Sequence, residues 1–312
     1  MRKKISVCVP CYNEEKNIEN MYLAISEQMA TLPEYDYEIL FADNASEDSS
    51  EEILRALAAK DKEHVRVIIN NRNFGPTRSG INCLNRTTGD AVISIPCDFQ
   101  EPPEMIPTLI KEWAKGNMVV WGQKIESNES RGMWNVRSLY YRIMKKLSRV
   151  ETYDHITGFG IIDHKVIDSF KPYEDISRGV KTFVLEMGYP VKLIPYKQNE
   201  RKEGKSSYSF TSYFDLAVQM IVRLSDRATR IALLAGILCV ALTLIAGIVW
   251  LALCIANVLN PTFEAVLLLM VMLICSGTLM GVGLVGEYVN QVLRYVTKVP
   301  IVVEKEIINF TE

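Results

Sequence analysis

Two long uncharged apolar runs, Ile231 to Ala256 and Ala265 to Gly286, dominate the carboxyl-terminal part of this 312-residue chain. As helices rising about 1.5 Å per residue they would be about 39 Å and about 33 Å long, against a bilayer hydrocarbon core of about 30 Å. The first run holds fourteen Leu, Ile or Val and no charge. Each such residue near mid-membrane favours insertion by roughly 0.3 to 0.6 kcal/mol. A buried helical pair inside a soluble domain is the alternative, and it fits less well because soluble helices of this length carry a polar face. Arg223, Arg227 and Arg230 precede the first run, Arg294 and Lys298 follow the second, and the connection Asn257 to Glu264 has no Lys or Arg. Basic residues concentrate on the cytoplasmic side of membrane helices. The expected topology is therefore a two-span hairpin over 230–289 in the cytoplasmic membrane, with both ends in the cytoplasm and a lipid bilayer as obligatory partner.

Removing the hairpin leaves roughly 230 residues at the amino end, enough for one large domain or two small ones. A net charge of −2 argues against a general nucleic-acid binder. The basic start, MRKKISVCVPCYNEE, has too short an apolar run before Pro10 to read as a signal peptide. Seven cysteines are scattered, three of them within the apolar runs, as suits a reducing compartment. Cys8 and Cys11 form a lone CxxC, and zinc would call for a second pair.

Along the amino-terminal part, strand and helix signals alternate with short links. Strands are expected at Ile5–Pro10, Tyr37–Ala42, Val65–Asn70, Ala91–Pro96, Met118–Gly122, Ile161–Asp163 and Val191–Pro195. Helices are expected up to about Met29, at Ser49–Lys60, Arg78–Arg86, Pro103–Lys115 and Trp134–Leu147. Alternation of this kind is the signature of a parallel sheet covered on both faces. Ligands bind such sheets beyond the carboxyl ends of the strands. Three strand ends carry polar clusters: Tyr12-Asn13-Glu14-Glu15, Asp43-Asn44-Ala45-Ser46 and Asp98-Phe99-Gln100. Taken singly, such residues are ordinary turn and cap chemistry; together, at successive strand ends, they mark a cleft. Residues 197–209, KQNERKEGKSSYS, read as a polar loop, and 210–229 as an amphipathic helix lying in the membrane interface. The tail, 290–312, offers a possible edge strand at Ile301–Ile308.

The segments VPCYNEE (Val9–Glu15), FADNASED (Phe41–Asp48) and DFQEPPE (Asp98–Glu104), in this order and followed by RKEGKSSY (Arg201–Tyr208), two apolar runs and Gly286-Glu287-Tyr288, resemble the family-2 glycosyltransferases. Within them the match is to the polyprenyl-phosphate branch, which includes dolichyl-phosphate mannose synthase and undecaprenyl-phosphate glucosyltransferases. The resemblance implies a GT-A nucleotide-sugar domain over 1–209. It implies that Pro10, Tyr12, Asn13 and Glu14 form the nucleotide-binding first loop, with Asp43 and Asn44 at the base or ribose. It implies that Asp98 and Gln100 belong to the metal-binding segment for Mg²⁺ or Mn²⁺. The first Asp of the usual DxD is Pro96 here, so the protein supplies a thin share of metal ligands. Arg201, Lys205, Ser206 and Tyr208 fall where the branch binds phosphate and acceptor; Lys124 and Arg131 are further candidates to face the diphosphate.

The implied reaction is inverting transfer of a sugar from a nucleotide diphosphate sugar, with UDP favoured, to polyprenyl (undecaprenyl) phosphate. Relatives near Thr157-Gly158-Phe159 carry an acid that this chain lacks. Asp154 and His155, just upstream, are the candidates for substrate positioning, Asp154 also for a catalytic role. A phosphate acceptor is already anionic at neutral pH and needs no base. Transfer to a neutral lipid alcohol would need one, and a catalytically silent membrane adaptor is the remaining alternative. A homo-oligomer held by the spans and tail is possible on the same resemblance.

Overall fold

A computed structural model of the chain describes residues 2–126, 153–171, 179–199 and 300–310, with residue 142 and isolated helical positions between 267 and 296. Two compact units divide the chain. The first comprises Met1–Tyr141, Glu151–Ser207 and Lys298–Glu312, and the second Arg142–Val150 and Tyr208–Thr297. In the second unit the described positions are helical, and the Thr278 hydroxyl donates to the Ile274 carbonyl at 2.8 Å. The expected helices Trp134–Leu147 and 210–229, the first apolar run and most of the second lie outside the described residues. Among the described residues, no helix is long and apolar enough to cross a membrane.

The first unit is built on strands β1 (Lys3–Cys11), β2 (Tyr35–Asp43), β3 (Val65–Asn70), β4 (Ala91–Ser94), β5 (Val119–Glu126), β6 (Ile156–Asp163), β7 (Val191–Lys197) and β8 (Glu304–Ile308). Its helices are α1 (Ile18–Ala30), α2 (Ser50–Lys60), α3 (Pro76–Asn85), α4 (Ile106–Ala114), α5 (His164–Phe170) and α6 (Val180–Glu186). Among the described residues the sheet has eight strands in the order β7-β5-β6-β4-β1-β2-β3-β8.

The sheet is mixed, which corrects the expectation of a parallel one. β4, β1, β2 and β3 pair in parallel, but β6 lies antiparallel between β4 and β5, and β8 lies antiparallel on β3. β6 also begins five residues earlier than the sequence suggests. Thr157, Gly158 and Gly160 dilute its apolar pattern, and glycine is a weak strand former. Gly160 is required where it stands: a Cβ there would meet the Val120 carbonyl oxygen at 2.1 Å, with φ at +153°. β4 stops at Ser94 rather than Pro96, since proline has no N–H for the ladder. Pro10, on the central strand β1, escapes that penalty because the β1–β4 pairing ends at Cys8↔Ser94. α3 begins at Pro76, where the fixed proline φ suits a first helical position.

The core lies between the sheet and its helices. Ile5, Val7, Val9, Ile39, Phe41 and Ile93 are buried with Ile18, Met21, Ile25, Leu54, Leu109 and Ile110 from α1, α2 and α4. This frame also encloses charge. Glu38 is fully buried and accepts hydrogen bonds from Lys4 Nζ (2.6 Å), Ser6 Oγ (2.6 Å) and Thr88 N (2.8 Å), with Arg66 Nη1 at 3.1 Å. Burial pushes its carboxyl up, but the Lys4, Ser6 and Thr88 hydrogen bonds outweigh it and hold the group below its ordinary value of 4.5. A depressed carboxyl contributes stability that is fully present above the unfolded value and lost as pH falls through the folded one. Glu38→Gln is therefore expected to cost about 3 kcal/mol at pH 7, as breaking a buried pair does. In thermal unfolding scans of both proteins the gap should narrow as pH falls below about 4.5. A gap independent of pH would contradict this account of Glu38.

Candidate functional site

The carboxyl ends of β1, β2 and β4 and the amino end of the reversed β6 share one edge of the sheet. Backbone strain collects there. Among the described residues, the non-glycine positions with positive φ are Asn13 (56°), Ala45 (61°), Phe99 (59°), His155 (56°) and Asn309 (62°). The first four follow β1, β2 and β4 or precede β6. Side-chain-bearing residues rarely adopt this backbone, and it persists where surrounding structure enforces it, often at functional sites.

The first two loops are laced to each other. Asn13 donates its N–H to Ser46 Oγ at 2.9 Å and accepts the Glu47 N–H on Oδ1 at 2.8 Å. Glu14 donates its N–H to Ser50 Oγ at 3.0 Å and accepts Asn17 Nδ2 at 2.6 Å. Tyr12, in the first of them, is half-buried. Asp43 is fully buried and accepts both the N–H and the hydroxyl of Ser46. Burial pushes its carboxyl up, against those two hydrogen bonds. Asn44 holds the loop after β3. Its Oδ1 accepts Asn70 Nδ2 and the Phe74 N–H, each at 3.0 Å, and its Nδ2 donates to Asn73 Oδ1 at 2.8 Å. The amide is thus committed to the chain's own loop, which the sequence reading did not anticipate. Ser46, part of the polar cluster at the end of β2, joins the two loops: its hydroxyl donates to Asp43 Oδ1 and accepts the Asn13 N–H, the local hydrogen bonding that favours Ser in turns.

The third cluster is a tight turn. Asp98 Oδ1 accepts the Gln100 N–H at 3.2 Å across the left-handed Phe99, and both Asp98 and Gln100 are half-buried. Next to it lies a carboxylate that the sequence reading passed over. Glu101 is buried, accepts the Tyr196 hydroxyl at 3.2 Å, and has Lys124 Nζ at 3.8 Å. Burial pushes Glu101 up. Lys124 pulls it down, the Asp98 charge pushes it up, and hydrogen bonds from Tyr196 and Thr157 pull it down, leaving it above the ordinary carboxylate range. Asp154 and His155 are half-buried just before β6, where their carbonyls accept Gln123 Nε2 (3.1 Å) and the Lys124 N–H (3.0 Å) respectively. Asp98, Gln100, Lys124 and Asp154 therefore come from elements that meet at this edge. Arg131, Arg201, Lys205, Ser206 and Tyr208 lie outside the described residues. Cys8 and Cys11 are buried thiols pushed well up by burial, which does not suit a thiolate metal site.

Among the described residues, no group of three or more His, Cys, Asp or Glu is arranged to hold a metal ion. The donors at the turn are one carboxylate, Asp98, and one amide oxygen, Gln100. These are hard oxygen ligands of the kind Mg²⁺ accepts when substrate phosphates and water complete its shell. The fit is to a cation that arrives with a diphosphate.

The fold is a mixed α/β sheet with polar, strained strand ends, and residues 6–171 match Glycosyl transferase family 2. The chain belongs to that family and is a glycosyltransferase with a GT-A-like fold. Over 291 residues it is 29% identical to the bactoprenol glucosyl transferase of Shigella phage SfX, covering 93% of this chain and 94% of that one. Over 300 residues it is 26% identical to the undecaprenyl-phosphate 4-deoxy-4-formamido-L-arabinose transferase of Klebsiella pneumoniae (strain 342), covering 96% and 91%. Among solved structures, glucosyl-3-phosphoglycerate synthase from Mycobacterium tuberculosis superposes with a TM-score of 0.49 at 18% identity, over 71% of this chain and 79% of that one.

Proposed function

We propose that this protein transfers a sugar, with inversion, from a UDP-sugar to polyprenyl phosphate at the cytoplasmic face of a membrane, for envelope glycan or lipid modification. The carrying observation is the gathering of Asp98, Gln100, Lys124 and Asp154 at one strained sheet edge in a family-2 chain. Near full-length similarity to enzymes named for bactoprenol and undecaprenyl phosphate supports the acceptor. On this reading 1–209 is the catalytic domain, 210–229 an interfacial helix, 230–289 the membrane hairpin, and 290–312 a cytoplasmic tail.

An oxygen of the polyprenyl phosphate attacks the anomeric carbon. The bond from that carbon to the nucleotide's terminal phosphate oxygen breaks, and its electron pair leaves with the diphosphate. No proton need be removed, because a phosphate monoester is anionic at neutral pH, so no general base is assigned. Pro10, Tyr12, Asn13, Glu14, Asp43 and Asn44 shape the nucleotide side of the cleft. Asp98 and Gln100 would hold a divalent cation, Mg²⁺ or Mn²⁺, which when bound neutralises charge building on the diphosphate. On this reading Lys124 acts on the leaving group and Asp154 positions the substrate, while Arg131 is assigned to the leaving group and Arg201, Lys205, Ser206 and Tyr208 are assigned to the acceptor phosphate. Position and electrostatics supply the rate.

The test is to incubate membranes carrying the protein with a panel of labelled nucleotide sugars and extract the lipid. Label should enter a lipid fraction labile to mild acid with one donor. Absence of labelled lipid with every donor would reject the proposal.

A further inference from the structure

Glu101, Lys124 and Tyr196 form a buried charged network directly behind the Asp98 turn. Glu101 is 3% exposed, Tyr196 4% and Lys124 8%. Three separate elements meet in it: the turn after β4, strand β5 and strand β7. The tyrosine is rigidly aimed. A Cβ on Gly122 would come within 2.9 Å of the Tyr196 ring and 3.0 Å of Phe159, and the Phe159 ring meets Tyr196 edge-on with centroids 5.5 Å apart. The same turn is tied to the end of β7 a second time, where the Asn199 N–H donates to the Gln100 carbonyl at 3.0 Å. The Lys124 backbone is fixed as well, through its N–H to the His155 carbonyl at 3.0 Å.

Stability does not account for this arrangement. A buried ion pair contributes little beyond well-packed apolar side chains of the same volume, because both ions lose water. What the arrangement does provide is position. One carboxylate holds the β5 cation, and through Tyr196 it holds β7, against the turn that carries Asp98 and Gln100.

We propose that Glu101 is a positioning residue of the transfer site, which fixes the Lys124 ammonium beside the Asp98–Gln100 turn so that cation and carboxylate meet the donor diphosphate as one pre-set unit. The proposal rests on the transferase reading above. Glu101 touches no substrate; it acts through Lys124.

The experiment is a double-mutant cycle in the full-length protein, using Glu101→Gln, Lys124→Met and the pair. It is read as kcat and donor KM for lipid product, and as binding of UDP with Mn²⁺ by calorimetry. Glutamine keeps an acceptor for the Tyr196 hydroxyl and removes only the charge. Glu101→Gln should lower kcat by about tenfold or more in the wild-type background, as loss of pre-set geometry does. It should lower it less than about twofold in the Lys124→Met background, because the two residues act as one unit. Equal losses in both backgrounds, or a single variant within about twofold of wild type, would overturn the proposal. Tyr196→Phe keeps the ring packing and the carboxylate. It should cost about threefold and add nothing to Lys124→Met, so it decides the matter if Glu101→Gln fails to fold. A wild-type protein that makes no lipid product would defeat the transferase reading. The calorimetric cycle would then still read the coupling: non-additive UDP binding supports the Glu101 assignment, and additive binding removes it.

Discussion

Asp98→Asn should abolish sugar transfer to lipid, lowering turnover by roughly 10²–10³-fold, the scale seen when one preorganised charge-stabilising group is removed. The substitution is nearly isosteric and keeps an oxygen at Oδ1 to accept the Gln100 N–H, now at 3.2 Å, so the turn through Phe99 survives. What is lost is the formal charge. On the family resemblance Pro96 takes the place of the motif's first acid, so Asp98 and the amide oxygen of Gln100 are the side-chain oxygens assigned to a cation at the turn. Excess Mg²⁺ or Mn²⁺ should restore only a small part of the rate. The measurement is labelled-sugar incorporation into lipid by equal amounts of folded protein. Retained turnover would mean that the cation, if any, is held elsewhere. Retention of the cellular role with turnover lost would favour a membrane adaptor.

Gly160→Ala should be the most damaging single-methyl change in the sheet. The new Cβ would lie 2.1 Å from the Val120 carbonyl oxygen and 2.9 Å from Trp121 Cα. Both are backbone atoms of the neighbouring strand β5, so neither can swing aside as a flexible side chain would. The positive φ of 153° adds strain of its own. Overpacking against immovable atoms costs about 3 kcal/mol or more. That corresponds to a fall in melting temperature of roughly 6–12 °C for a domain of this size, read by thermal unfolding of the purified full chain. A melting temperature within about 2 °C of wild type would show that β6 and β5 do not approach as described.

The parts of this architecture visible in the sequence are those that local pattern dictates. β1 and β3 are rich in β-branched residues and β2 in aromatic and aliphatic ones, all running into polar residues, and their parallel pairing follows from the intervening helices. The reversal of β6 was not visible. Its direction depends on contacts with strands distant in sequence, and its glycines, needed for close backbone approach, dilute the strand signal. At the site, the turn holding Asp98 and Gln100 could be read because oxygen ligands and a tight turn share one short segment. Glu101 stands in that same segment and was passed over, because an acid between Gln100 and Pro102 reads as a solvated loop residue. Its partner Tyr196 is 95 positions away. The left-handed backbone of Ala45 and His155 was equally hidden, since only glycine or asparagine announces such a conformation.

The central claim concerns the acceptor. The measurement that meets it most directly uses the purified full-length protein with the donor identified in the lipid screen, Mn²⁺, and vesicles containing undecaprenyl phosphate, undecaprenol or diacylglycerol in turn. Lipid products are identified by mass spectrometry. The expected result is one product, a single sugar joined through a phosphodiester to undecaprenol, formed only with the phosphorylated lipid. Transfer to either neutral alcohol, or none to undecaprenyl phosphate, would contradict the assignment.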